Sequence, residues 1–365
     1  MLRTSFAAFA ALAAGGCARR SPPGILPGAA PVRPLVFPTI SLDRVIRTTA
    51  GLRPYRPSGF VVRAERFADT TVIHNYGHGG GGITLSWGSS ALAADLALHA
   101  DTRTAAVIGA GIMGLTTARL LQDRGFQVTI YARELTPYTT SNMSGGQWNP
   151  SSVFSFGSTS DSFIRQFQNA SSFAWRHYQS LVGPRYGVRW IENYVLLQSP
   201  PPESPTGIRS LIPDVFAEWI LLGPGEHPFH TPYARRYLTM LVEPATLLDT
   251  LSRDVLLRGG RIEVRDFQAL EQLLGLEEEL IINCTGLGAA SLFEDPELTP
   301  VKGQLAVLYP DPAVDYIAQF GSAYMFPRSD GIVLGGSYEE GVWSLETDPG
   351  VIEGIVEANR RMFGV

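Results

Sequence analysis

Apolar residues along this chain of 365 residues fall into three rhythms. Short, dense apolar runs at 105–108, 127–131 and 280–283 have the length of strands buried in a parallel sheet. Stretches with a period between three and four follow or precede them. Leu115, Ala118, Leu120 and Leu121 mark one helix, Leu85, Ala91, Leu92 and Leu96 mark another over 85–98, and residues 246–257 mark a third, which Gly259 and Gly260 terminate. Alternation over 60–66 predicts a strand, and 304–309, 324–327 and 332–336 read as antiparallel strands. Residues 41–50 alternate as strand or loop and are interrupted by 51–57, where Pro54 and Pro57 forbid helix. Residues 151–233, rich in aromatics and proline, predict a mixed sheet over a ligand. No internal repeat is present. Strands interleaved with helices predict an α/β (α+β) fold.

The junction between the run at 105–108 and its helix carries chemistry. Gly109, Ala110, Gly111, Ile112, Met113 and Gly114 spell a strand, a tight turn and a helix start. The first glycine permits the turn, the second admits a pyrophosphate to the backbone, and the third lets helix and strand pack closely. The helix N-terminus supplies free N–H groups and partial positive charge for phosphates. After the second strand, Glu134 is the candidate ligand for a ribose, with Arg133 beside it where an acid is more usual. A second glycine run, Gly79, Gly80, Gly81 and Gly82, leads through Ile83 and Thr84 straight into a helix, again suiting close approach of backbone to a ligand.

Composition narrows the class. With 45% hydrophobic and 17% charged residues the chain is an ordinary globular sequence. With a net charge of −5, nothing in the bulk electrostatics points to nucleic acid, and no nucleic-acid partner is expected. Neither Cys17 nor Cys284 has metal-ligand spacing, and Cys284 reads as a buried small hydrophobe. Cys17 closes residues 1–17, which read as a signal peptide with a lipobox-like Ala14-Gly15-Gly16-Cys17, too short to span a bilayer. Lipidation at Cys17 is the single route to a membrane, implying an exported protein; the alternative is a cytoplasmic one with a disordered N-terminus. Residues 18–38, with six prolines after Arg20, read as an extended tether.

Several blocks together resemble the D-amino-acid oxidase family. They are Gly51-Leu52-Arg53-Pro54, the segment His74-Asn75-Tyr76-Gly77-His78-Gly79-Gly80 with Trp87-Gly88, the phosphate turn, Thr136-Pro137-Tyr138-Thr139-Thr140, Gln147-Trp148-Asn149-Pro150, Asn283-Cys284-Thr285-Gly286, Gly303-Gln304 and Tyr324-Met325-Phe326-Pro327-Arg328. In that family the glycine turn opens the protein and the His-Asn-Tyr-Gly-His-Gly-Gly segment closes it. Here the order is reversed, so the sequence is expected to be a circular permutation, joined through 99–104. The resemblance implies an FAD-binding Rossmann-like domain, residues 50–150 and 233–298, interleaved with a mixed-sheet substrate domain, residues 39–49, 151–232 and 299–365.

It also implies FAD as cofactor, oxygen as co-substrate, and oxidative deamination of a small-molecule D-amino acid to a 2-oxo acid. Hydride transfer asks the protein chiefly to orient substrate, and Arg53 is the expected bidentate partner of the α-carboxylate. By resemblance, Tyr324 binds the same carboxylate, the Gly80 carbonyl accepts from the amine, and Thr139 and Thr140 join the cofactor set. His74 and His78 are expected to make structural hydrogen bonds rather than a metal site. Phe320, four before Tyr324, stands where a second tyrosine often forms a lid contact. Alternative activities are a glycine or sarcosine-type amine oxidase and a D-aspartate oxidase, for which Arg165, Arg185 or Arg328 would have to reach the pocket. A flavin-binding surface lipoprotein without turnover is the alternative of another class.

Overall fold

The computed structural model describes residues 33–202 and 206–364. The signal peptide, the lipobox with Cys17 and most of the tether lie outside the described residues. Two sheets organise the rest. The larger contains β1 (Val45–Tyr55), β6 (Val188–Leu197), β7 (Ala217–Leu222), β8 (Tyr233–Val242), β11 (Thr299–Leu308), β12 (Tyr316–Phe320), β13 (Ala323–Arg328), β14 (Gly331–Gly335) and β15 (Glu339–Glu340). Its order is β1-β11-β14-β13-β12-β6-β8-β7, with β15 beside β11. The smaller contains β2 (Val61–Phe67), β3 (Thr70–Tyr76), β4 (Thr104–Ile108), β5 (Gln127–Ala132), β9 (Arg261–Val264) and β10 (Leu280–Asn283), in the order β2-β3-β10-β4-β5-β9.

In the smaller sheet β3, β10, β4, β5 and β9 run parallel. Ala105 and Val107 of β4 enter one core while Ala106 and Ile108 enter another on the opposite face, which is why that run is apolar without a break. The first face is covered by α1 (Gly82–Ala97), α2 (Ile112–Asp123) and α3 (Asp161–Ser180). Helix α1 is wedged between the other two and buried nearly all round. At Gly88 it touches the backbone of α3, and any Cβ there would overlap Ala170.

Helix α3 corrects the expectation of sheet throughout 151–233. Its signal was legible: Phe163, Phe167, Ala170, Ala174 and Tyr178 recur at helical spacing and are buried, and Ser160 caps the start by accepting from Phe163 N at 3.2 Å. Two further short helices, α4 (Ile208–Leu211) and later α6 (Leu270–Leu274), flank α5 (Pro244–Leu257), which ends at Gly259 as expected. A single turn, α7 (Ala289–Leu292), and the C-terminal α8 (Pro349–Phe363) complete the set.

The expected domain boundaries also shift. β1 runs unbroken through Pro54 instead of stopping at Gly51, because it is the edge strand and one side of its backbone needs no partner. Residues 50–55, and β8 at 233–242, belong to the larger sheet and not to the nucleotide unit. Nor is the tether loose to residue 38. Arg33 pairs with Glu192 and Asp315, and Phe37 stacks on Phe229 at 5.6 Å. One face of the larger sheet is buried by α8 through Ile352, Ile355 and Val356. The other carries Leu305, Val307, Ile317, Phe326 and Val333 beside Tyr324, and looks into a cavity between the sheets.

Candidate active site

The cavity holds about 1250 Å³ and is walled by both sheets. On the nucleotide side the turn from Gly109 to Met113 lines it. Gly109 takes φ +112°, and a Cβ there would press on the Cys284 carbonyl. Gly114 lies underneath and does not line the cavity; a Cβ would overlap the Gly109 carbonyl, so this glycine sets the contact of α2 with the turn. Gly111 carries no side chain to cap α2, and the Ile112 N–H donates to the Ser141 hydroxyl at 3.0 Å. This bare helix start beside a wall of backbone fits the pyrophosphate of a dinucleotide.

The second glycine run lies on the same cavity. Gly79, Gly80, Gly82, Ile83 and Thr84 line it, whereas Gly81 packs on Val153. Gly79 is in the left-handed region at φ +53°, and Gly80 N donates to the Ser152 carbonyl at 3.0 Å. Arg133 and Glu134 line the adenosine end after β5, both exposed, 3.6 Å apart as a loose ion pair. Thr139 and Thr140 line it too; the Thr139 hydroxyl is engaged with Asn142 at 2.7 Å.

On the substrate side Arg53 and Tyr324 meet although they stand on β1 and β13, with β11 and β14 between them. Two glycines make that possible. A Cβ on Gly303 would overlap the Arg53 guanidinium, and one on Gly335 would overlap the Tyr324 phenol, so each side chain lies across the strand that carries the glycine. Arg53 Nη1 is buried and has no hydrogen-bond partner among the described residues. Burial pushes the Tyr324 phenol up while the adjacent Arg53 charge pulls it down, and the net direction is upward, so it is a neutral donor at neutral pH. Tyr324 is stacked on Phe326 at 4.6 Å.

His74 is fully buried, with Nε2 3.1 Å from Glu65 and Nδ1 accepting from Asn283 at 3.0 Å, so it ties β3 to both neighbours. His78 stacks on Phe60 at 4.6 Å, and burial pushes its pKa down to about 3, leaving it neutral. Burial likewise pushes the Cys284 thiol up to about 12. Phe320 corrects an expectation. It faces the α8 side of the sheet, because its neighbours Gln319 and Gly321 are the cavity-lining positions, so it is no lid contact. Arg328 is held by Asp330 and the Ser144 carbonyl, Arg185 by Asp254, and Arg165 is exposed on α3. Sequence reading assigned no role to Gln147 and Gln319, which bond to one another at 3.0 Å on the cavity wall. The alternation of β12 was the available signal for Gln319.

A bare glycine turn on a parallel sheet, opening on a cavity whose far wall offers a guanidinium and a phenol, defines a dinucleotide-dependent oxidoreductase. The comparisons make this specific. The DAO family of FAD dependent oxidoreductases matches residues 31–96 and 104–365, and the chain belongs to that family. It is 33% identical to a D-amino-acid oxidase of Rubrobacter xylanophilus over 262 residues, 69% of this chain and 74% of that one. It is 32% identical to a D-amino-acid oxidase of Streptomyces coelicolor over 255 residues, 68% and 74%. The glycine oxidase structure from Geobacillus kaustophilus shares the fold with a TM-score of 0.54 at 16% identity, covering 72% of this chain and 79% of that chain. The protein is an FAD-dependent enzyme, and the residues around the turn fit that cofactor.

Proposed function

We propose that the protein catalyses oxidative deamination of D-amino acids. The observation that carries this reading is the buried, unpartnered Nη1 of Arg53 next to the Tyr324 phenol, in the same cavity as the Gly80 backbone. Arg53 grips the substrate α-carboxylate in a bidentate fork, Tyr324 donates its O–H to the same group, and the Gly80 carbonyl accepts from the amine. With both ends of the amino acid held, the chain's task is orientation, and no side chain need act as base at the α-carbon. Bound against the glycine turn, FAD would supply the hydride acceptor; the imino acid released would hydrolyse to a 2-oxo acid and ammonia, with oxygen as final acceptor giving hydrogen peroxide. The D-amino-acid oxidases of Rubrobacter xylanophilus and Streptomyces coelicolor support this choice of substrate.

The test is the anaerobic flavin spectrum on adding D-alanine, L-alanine, glycine and sarcosine in turn. Bleaching by D-alanine and not by L-alanine is expected. Preference for glycine or sarcosine would make the protein an amine oxidase of the other type, and a shifted spectrum without bleaching would make it a silent flavin binder.

The permuted order and the export belong to the same proposal. The matched stretches part only at 97–103, and Phe37 lies edge to face on Phe363 at 5.2 Å, so a link between those regions restores the order of the relatives. A chain reordered as 104–364 followed by 33–97 is expected to load FAD, and an apoprotein would count against the permutation. Lipid anchoring rests on the small and apolar residues ahead of Cys17. Metabolic palmitate labelling that survives Cys17→Ser would overturn it.

A further inference from the structure

The cavity has an annex that orientation of the α-carbon leaves unused. A second hollow of about 380 Å³ shares Asn149, Ser151, Ser152 and Gln319 with the main cavity and continues to Arg209, Arg235 and Tyr237. Strand register fixes where it lies. Tyr324 pairs with Gln319, Gln319 with Val195, and Val195 with Arg235, so these residues form one row across β13, β12, β6 and β8. Arg235 and Tyr237, two apart on β8, share the face of that row.

The two arginines are poorly matched to their surroundings. Nε of each is buried without a hydrogen-bond partner, and among the described residues neither forms an ion pair, whereas the adjacent Arg236 pairs with Glu192 at 3.3 Å. The Arg209 guanidinium is held over Trp219 at 4.8 Å and Phe216 at 5.4 Å. Burial pushes both arginines down, and the nearby Arg235 charge adds to the effect at Arg209. Two partly buried like charges that find no counter-ion among the described residues cost free energy that an anionic ligand relieves.

We infer that the annex is a side-chain subsite for a D-amino acid whose side chain ends in a carboxylate, held by Arg209 and Arg235 while Arg53 and Tyr324 hold the α-carboxylate. This rests on the D-amino-acid oxidase reading. It uses none of the arginines that sequence reading offered for an acidic substrate. Geometry sets the length of the side chain. Arg235 stands three strand steps from Tyr324, roughly 14 Å of backbone at about 4.8 Å per step. The Tyr324 ring leans over Gly335, away from Gln319. That backbone separation favours, over aspartate, a substrate with several methylenes between its α-carbon and its second carboxylate.

The experiment measures kcat/KM of the FAD-loaded protein for D-aspartate, D-glutamate, D-2-aminoadipate and D-2-aminopimelate, with D-norleucine as the neutral reference. D-2-aminoadipate or D-2-aminopimelate is expected to exceed both D-norleucine and D-aspartate. In Arg235→Met and Arg209→Met the ratio of the preferred acid to D-norleucine is expected to fall at least about tenfold, the worth of a charged hydrogen bond. Flavin content of each variant reports whether it has folded. Turnover of D-norleucine with no advantage for any acid, a ratio unmoved in both variants, or D-aspartate as the best substrate would each overturn the subsite and leave the oxidase reading standing. No bleaching by any of the D-amino acids would overturn both.

Discussion

The phosphate turn that walls one side of the cavity is contiguous in sequence, Gly109 to Met113 at the junction of β4 and α2, whereas the opposite wall draws Arg53 from β1, Tyr324 from β13 and Gln319 from β12. On the first wall the ligand meets backbone, and glycine matters for what it lacks. On the second it meets side chains, and glycine matters again, but at a distance, as the gap through which another strand's residue passes. Gly303 and Gly335 touch no substrate in this scheme, yet they decide where the guanidinium and the phenol sit. The difference teaches that a local motif fails by losing its cofactor, while an assembled wall fails by misplacing the substrate with the cofactor retained.

That contrast can be broken at several points. The largest effect is expected from Gly114→Val, whose Cβ overlaps the Gly109 carbonyl and forces α2 off the turn. The purified variant should contain no flavin by absorbance, and full occupancy would show that the close packing is dispensable. Arg53→Met should retain FAD but lose about 10²–10³ in kcat/KM for D-alanine, the cost of removing one partner of a buried charge pair. An effect within a factor of a few would remove Arg53 from the carboxylate.

Tyr324→Phe should lose roughly tenfold or somewhat more in kcat/KM, as for one hydrogen bond to a charged group. Gly335→Ala should match it although it removes no polar atom, since its methyl displaces the phenol. If Gly335→Ala is neutral, the gap does not position Tyr324. The smallest effect is on stability. His78 is depressed from the ordinary 6.5 to about 3 in the fold, so the unfolded chain binds its proton more readily between those values. Its contribution is therefore complete above about pH 6.5 and is lost as pH falls toward 3. His78→Phe, which keeps a ring against Phe60, should flatten the fall of Tm between pH 7 and pH 4; an unchanged slope would move the sensitivity to other groups.

Much of the smaller sheet was readable from the chain alone. Ala105 to Ile108 needed apolar residues at every position because both faces are covered, and the glycine turn needed Gly109 and Gly114 because backbone meets backbone there. Helix α5 and its glycine stop were equally local. Helix α3 is written in the sequence at helical spacing, its aromatic residues Phe163, Phe167 and Tyr178 being core positions of the helix rather than of a sheet. Phe320 was misjudged because a spacing of four from Tyr324 says nothing about which face of a strand a residue takes once a turn intervenes.

What the sequence by itself determined were the features in which neighbouring residues act on one another: the strand periods, the phosphate turn and the glycine stop of α5. What only the tertiary structure decided was which distant residues share a space. The passage of Arg53 over Gly303 and of Tyr324 over Gly335, the membership of β1 and β8 in the larger sheet, and the row that carries Arg235 to the cavity all depend on strand order and register. Strand order and register are set by the burial of both sheet faces at once, a condition on the whole chain that no single segment encodes.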